Sequence, residues 1–181
     1  MNRAIGLVEV KSIPVGIETA DAMLKAGEVQ LVVANPVCPG KYIIIVTGDV
    51  SAVKSAVGAG KTTGGIFLIE SIVIPNIHEE VCPAITGTAS YDRVEALGGI
   101  ESMSALESVL AGDIIAKAAQ VDLMEIRIAR GLGGKSYVLF TGDTGAVNQA
   151  LEACKTELGE DGLITSTMVI PNPHPELIPF L

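Results

Sequence analysis

The chain is written twice. Ala4-Ile5-Gly6-Leu7-Val8-Glu9 returns as Ala96-Leu97-Gly98-Gly99-Ile100-Glu101. In the same register Ser12 returns as Ser104, Asp21 as Asp113, Lys25-Ala26 as Lys117-Ala118, and Val29 and Leu31 as Val121 and Leu123. Further on, Gly40-Lys41 is answered by Gly134-Lys135 and Thr47-Gly48-Asp49 by Thr141-Gly142-Asp143. Near the end, Ile74-Pro75-Asn76-x-His78 is answered by Ile170-Pro171-Asn172-x-His174. The offset between copies widens twice, which predicts a longer second-copy loop before Lys135 and another insertion near residues 159–162. Whatever one half folds into, the other folds into as well. At roughly 85 residues neither half buries a large core alone, so each needs its twin or other chains beside it.

Each half reads β-α-β-β-α-β. Residues 4–10 read as a strand, bounded by Ser12 and Pro14. Residues 15–27 have helical spacing, with Ile17, Ala20 and Leu24 on one face, Glu18, Asp21 and Lys25 on another, and Gly27 as a stop. Val29–Val37 and residues 42–47 are β-branched runs separated by Pro39-Gly40. Asp49 is placed to cap a helix over residues 50–60, as Asp143 is for residues 144–153, and residues 66–74 form the last strand. This order predicts an α+β chain of two tandem ferredoxin-like (βαββαβ) domains, each an antiparallel sheet with helices on one face. The expected division is a first domain over 1–81, a linker over 82–95 rich in Pro, Gly, Ser and Thr, and a second domain over 96–181.

Composition then excludes several classes. Of 181 residues 49% are hydrophobic, but only 3% are aromatic, and Trp is absent. A chain this apolar folds, because it buries enough surface to offset its conformational entropy. Its apolar runs fall far short of the ~20 residues of a membrane-spanning helix. The N-terminus leads straight into the first strand, so no signal peptide is expected. Cys38, Cys82 and Cys154 are an odd set without CxxC spacing, which argues against a disulfide framework and for a cytoplasmic chain. A net charge of -9 and few aromatics speak against nucleic acid as a partner, which needs clustered cations or stacking platforms.

No catalytic constellation is visible, so no enzyme activity is expected. Gly131, Leu132, Gly133, Gly134 and Lys135 do not have the GxxxxGK[ST] spacing of a phosphate loop. The Gly58–Thr63 region contains Gly60-Lys61-Thr62, but Ser55 stands where that motif needs its first Gly, and the segment follows a helix. Cys154 reads as a packed residue near a helix end and Cys82 as incidental. His78 and His174 follow Pro-Asn turns without a recurring acid or nucleophile beside them, and Glu79, Glu80 and Glu176 read as solvated charges. Asp21–Lys25 and Asp113–Lys117 are (i, i+4) pairs in which the carboxylate can orient the ammonium.

The motifs Ala-Ile-Gly-Leu-Val-Glu, Asp21-x-x-x-Lys25-Ala26, Thr47-Gly48-Asp49-Val50-x-Ala52-Val53 and Ile74-Pro75-Asn76-x-His78 resemble the bacterial microcompartment (BMC) shell domain. Two copies in one chain resemble its tandem-domain members, which form trimers whose six domains imitate a hexameric tile. The resemblance implies a homotrimer in a microcompartment shell, other shell proteins as partners, and tile-edge contacts at Lys25, Lys117, Asn76, His78, Asn172 and His174. Many shell domains carry Pro-Arg-Pro-His in the last turn, where this chain has Pro75-Asn76-Ile77-His78 and Pro171-Asn172-Pro173-His174. Asn35-Pro36-Val37-Cys38-Pro39-Gly40-Lys41 further resembles the central loop of the propanediol-utilisation T-type subfamily. There a Cys followed by Pro-Gly faces the three-fold axis, and three chains supply three thiolates to one [4Fe-4S] cluster. The resemblance thus implies Cys38 as metal ligand, with Pro39, Gly40, Lys41 and residues 131–135 lining the centre, and an encapsulated redox enzyme as a possible partner.

Two readings stay open on residues alone. One Cys per chain cannot hold a cluster, so Cys38 is either a free loop thiol or a ligand completed by symmetry. The fold itself is shared by small-molecule binders and regulatory sensors, which would need convergent polar groups in a pocket. The recurring polar residues lie instead on helices and turns.

Overall fold

Two four-stranded antiparallel sheets carry the chain, in a computed structural model that describes residues 3–129, 131–159 and 164–181. They belong to two compact units: residues 3–77 with 131–134, and residues 78–129 with 135–159 and 164–181. In the first unit the elements run β1 (Arg3–Val10), α1 (Ile13–Ala26), β2 (Val29–Val37), β3 (Lys41–Asp49), α2 (Val50–Gly64) and β4 (Leu68–Ile74). A short helix α3 (Val81–Thr86) opens the second unit, followed by β5 (Ala96–Ser102), α4 (Ala105–Ala118), β6 (Val121–Ile128), β7 (Ser136–Gly142), α5 (Thr144–Leu158) and β8 (Ile164–Ile170). The strand orders are β2-β3-β1-β4 and β6-β7-β5-β8, the split βαβ arrangement expected from the element order. Even the bulges repeat: the register shifts between Leu31 and Val33 and again between Leu123 and Glu125.

The core is thin because its residues are aliphatic and its helices sit close. Ala4, Val8 and Val10 of β1 and Ile44 and Val46 of β3 meet Ala20 and Met23 of α1 and Val53, Ala56 and Val57 of α2. Gly6 makes the approach possible. A Cβ there would stand 2.6 Å from a Val57 methyl and 2.7 Å from a Val53 methyl. In the second unit Gly98 has the same role beneath the buried Phe140 ring, which takes the place of Val46. The copies also exchange one filling for another. Gly16 leaves room for the Tyr42 ring, whereas the corresponding Ser108 and Ser136 join their hydroxyls at 2.5 Å.

Several expectations change on contact with the structure. The apolar stripe of α1 does not face its own core: Ile17 and Leu24 are exposed, and the buried face is Gly16, Thr19, Ala20 and Met23. Tyr42 lies against Gly16 and sets that face. Asp143 caps α5 by accepting the Ala146 N–H at 2.8 Å, but the Asp49 side chain caps nothing on α2. The last strand of the first copy starts later than read, because Gly65, at φ 49°, turns residues 65–67 into a 3-10 turn. Residues 82–86 of the presumed linker are helical and end at Gly87, φ 70°. The longer second loop is present, with residues 129–135 separating β6 and β7 where residues 38–40 separate β2 and β3. Most of the insertion near 159–162 lies outside the described residues. Among those described, no helix is long and apolar enough to cross a membrane.

Two glycines should separate close approach from mere flexibility. Gly6→Ala drives a methyl into Val53 and Val57 and should destabilise the protein by about 1–3 kcal/mol. Gly58→Ala, on the exposed face of α2 with nothing within 4 Å, should stabilise it by about 0.5–1 kcal/mol. Urea unfolding midpoints measure both shifts.

Candidate functional site

The β2–β3 turn places Cys38, Pro39 and Gly40 at the tip of a hairpin. Gly40 takes φ 76°, a left-handed conformation that favours glycine, with nothing within 4 Å of a Cβ built there. Cys38 is half-buried, while Pro39 and Gly40 are exposed. The second, longer loop reaches this turn. A Cβ on the buried Gly134 would stand 3.6 Å from Pro39 Cδ and 3.7 Å from the Cys38 carbonyl oxygen. Gly131, Gly133 and Gly134 all have positive φ, so residues 131–134 make successive backbone reversals around Leu132. The structure thus brings Gly134 beside Cys38-Pro39, and residues 131–134 belong with the first unit. Arg130, which precedes these residues in the sequence, lies outside the described residues.

Each loop is anchored by the lysine that follows it. Lys41 Nζ lies 3.2 Å from Glu9 Oε1, and Lys135 Nζ lies 2.9 Å from Glu101 Oε1. These are copies of one pair, yet their electrostatics are opposite. Burial holds the Glu9 carboxyl above the usual glutamate range; the Lys41 ammonium and its hydrogen bond pull it down, and Glu70, directly across on β4, adds to the rise. Desolvation wins over the ion pair. Glu101 is open to solvent, and hydrogen bonds from Thr165 and Lys135 hold it below that range. The recurrence of Glu9 with Lys41 as Glu101 with Lys135 was visible in the sequence, but only strand register shows that they meet.

The (i, i+4) pairs form as expected: Lys25–Asp21 and Lys117–Asp113 both close at 2.6 Å. Lys25 and Asp21 are exposed, whereas Asp113 is buried because it does more. Its other oxygen accepts the His78 backbone N–H at 2.8 Å. Asn76, at φ 53°, makes the turn that leads there. Glu80, read as a solvated charge, instead accepts the Leu123 N–H at 2.8 Å on the edge strand β6. Asn172 and His174 are exposed; His174 Nδ1 accepts the Glu176 N–H at 3.2 Å. The histidines therefore order their own turns.

None of Cys38, Cys82 and Cys154 is in a disulfide. Burial pushes the Cys154 thiol up to about 12, with Glu107 and Glu157 adding to the rise, so this packed thiol is chemically quiet. Among the described residues no group of three His, Cys, Asp or Glu is arranged to hold a metal within one chain. A cavity of about 350 Å³ lies on the sheet of the second unit between Gly99, Tyr137, Leu139 and Met168. None of Asp113, Lys117 or His174 lines it, so it gathers none of the recurring helix and turn polar groups.

The anchoring pair yields a sharp contrast. Because the folded Glu9 carboxyl titrates above 4.5, its ordinary value, the folded form holds its proton more tightly. Its contribution to stability is therefore present below that value and is lost as the pH rises through the folded one. Glu9→Gln should leave stability at pH 7 unchanged or higher and flatten this fall. Lys41→Met strands the carboxylate and should cost about 1–3 kcal/mol. Adding Glu9→Gln to Lys41→Met should recover most of that loss in urea unfolding across pH 4 to 8.

Comparison with known proteins fits this architecture. The BMC domain matches residues 4–77 and again residues 96–173. The bacterial microcompartment shell protein PduT of Citrobacter freundii is 42% identical, over 96% of this chain and 95% of that protein. A carboxysome assembly protein, CcmO of Synechococcus elongatus, is 28% identical over 97% of this chain and 67% of its own length. The crystal structure of a microcompartments protein from Desulfitobacterium hafniense superposes with a TM-score of 0.95 at 46% identity, covering 99% of each chain. With two domains matched in tandem on two copies of one split βαβ sheet, the chain belongs to the BMC-domain family.

Proposed function

We propose that this chain is a structural shell protein of a bacterial microcompartment, that three copies close into a pseudo-hexameric ring, and that the ring carries a [4Fe-4S] cluster at its centre. The observation that carries the shell reading is the duplication itself. Two copies of a tiling domain in one chain let three chains supply six domains. The likeness to PduT, end to end, supports the same role. Such a protein packs edge to edge with other shell proteins and encloses enzymes without catalysing a reaction. The aliphatic surface of a chain with mean hydropathy +0.49 goes into these interfaces, and the charge of -9 keeps the unassembled protein soluble.

The donor chemistry fits the cluster. Thiolate sulfur is the natural ligand of iron–sulfur iron, and Cys38 is the half-buried thiol on the loop that resembles the cluster-bearing one. The cluster needs ligands from three chains, because each chain brings one such loop thiol. When bound, such a cluster supplies one-electron redox chemistry, which suits electron transfer across the shell to an encapsulated redox enzyme, or cluster supply to it. The chain's own residues hold the ligand in place. Lys41, pinned to Glu9, fixes one end of the Cys38 loop, and Gly134 approaches it without a side chain.

Anaerobically purified protein should contain about four irons and four sulfides per three chains, absorb near ~400 nm and give an EPR signal on reduction. Cys38→Ser should lose the iron and keep the assembly. Wild-type rings without iron would sink the cluster but not the shell. Electron microscopy should show sheets, tubes or discs of roughly 60–70 Å; discrete single chains at high concentration would sink the shell reading.

A further inference from the structure

The two copies differ in what covers them, and the difference is complementary. In the second unit, the turn at His78 and helix α3 lie on α4 and β6. The His78 N–H meets Asp113, the Glu80 carboxylate takes the Leu123 N–H, and Val81 and Ala84 are 0% and 1% exposed. Leu123 is 1% exposed, and Ala105, Val109 and Ala116 of α4 are buried. The matching residues of the first unit are open. Ile13, Ile17, Leu24 and Leu31 are 41%, 57%, 40% and 46% exposed, and Asp21, the twin of Asp113, faces solvent. This is a receiving face without its cover.

The cover is present too, at the other end of the chain. Residues 171–181 repeat residues 75–85: Pro171-Asn172, His174, Glu176 and Pro179 stand where Pro75-Asn76, His78, Glu80 and Pro83 stand. The local bonds repeat as well. The Val81 N–H reaches the His78 carbonyl and the Leu177 N–H reaches that of His174; each imidazole Nδ1 accepts the N–H two residues on. Leu177 and Phe180 occupy the places of Val81 and Ala84, but they are 40% and 86% exposed. A pre-shaped clasp thus ends in two uncovered apolar side chains.

We propose that the C-terminal segment 174–181 of one copy docks on the α1–β2 face of a second copy. There the His174 N–H finds Asp21, Glu176 takes the N–H of Leu31 on edge strand β2, and Leu177 and Phe180 cover Ile17 and Leu31. Face and clasp are both open within one chain, so the occupant is a second copy. The contact is head-to-tail, and such contacts close into a ring when the rotation allows. This rests on the ring reading above and supplies it with a named contact. A Leu or Phe on the clasp in place of Val and Ala offers more apolar area to a face that carries Ile and Leu in place of Ala.

Hydrogen exchange tests it on the full chain, a chain stopped after Pro173, and Phe180→Asp. Phe180 is so exposed that its substitution leaves the chain's own core intact, which circular dichroism checks. We expect the wild type to be oligomeric and protected at Leu31, with protection lost in the stopped chain whether or not the ring persists. Phe180→Asp should raise the dissociation constant about thirtyfold in sedimentation runs, and Ile17→Asp should do the same from the other side. An oligomeric wild type with Leu31 exchange and dissociation constant unchanged by all three variants overturns the docking and leaves the ring standing. A monomeric wild type overturns both.

Discussion

A helix can lie close on a sheet only where the strand beneath it lacks a side chain, and much in this protein follows from Gly6 and Gly98 supplying that gap. With α2 pressed onto β1 through Val53 and Val57, no depth remains there for an aromatic ring, and the Tyr42 ring of the first core lies instead against Gly16 of α1. Aliphatic branches fill a shallow layer well, because a stiff β-branched side chain packs on a pleated surface with little loss of rotamer freedom. That is the physical content of a chain with 49% hydrophobic residues and 3% aromatics. The second core takes one ring, Phe140, over the equivalent glycine.

Duplication then lets one scaffold meet two environments. The glutamate on the central strand pairs with the lysine after the loop in both copies, but Glu9 is buried and Glu101 is open. The same pair is consequently a desolvated carboxylate in one unit and a screened surface contact in the other. The (i, i+4) pairs diverge similarly. Asp21 only orients Lys25, while Asp113 also receives the backbone that leaves the first copy. In both kinds of pair the side chains are kept between copies while their surroundings differ.

This explains which parts were legible in the sequence. Strand order, helix positions and the Asp–Lys pairs depend on local period, and a repeat gives each period twice. Cap geometry was half legible: Asp49 and Asp143 both follow Thr-Gly and stand three residues before an Ala, but only Asp143 turns its oxygen to the helix. The orientation of α1 was not legible, because Ile17 and Leu24 form a stripe whatever lies opposite. Glu80 looked solvated since its partner, the Leu123 N–H, is 43 residues away and set by an edge-strand bulge. The Cys38 turn was legible as a motif, but the arrival of Gly134 beside it needed the tertiary fold.

Fusion also changes what a ring can place at its centre. Six identical domains would bring six copies of any loop residue to the axis. Two fused and diverged domains bring three of each, so one loop can carry a thiol while the other carries glycines. On the proposed ring, three Cys38 side chains converge, and Gly131, Gly133 and Gly134 leave them room that a second set of bulky side chains would take. A four-iron cluster with three protein thiolates has one iron open to a small ligand, a state that six equivalent cysteines would not impose. Asymmetry between the loops and asymmetry between the covered and uncovered helix faces thus have the same origin. Each is a difference that two identical chains could not express and one tandem chain can.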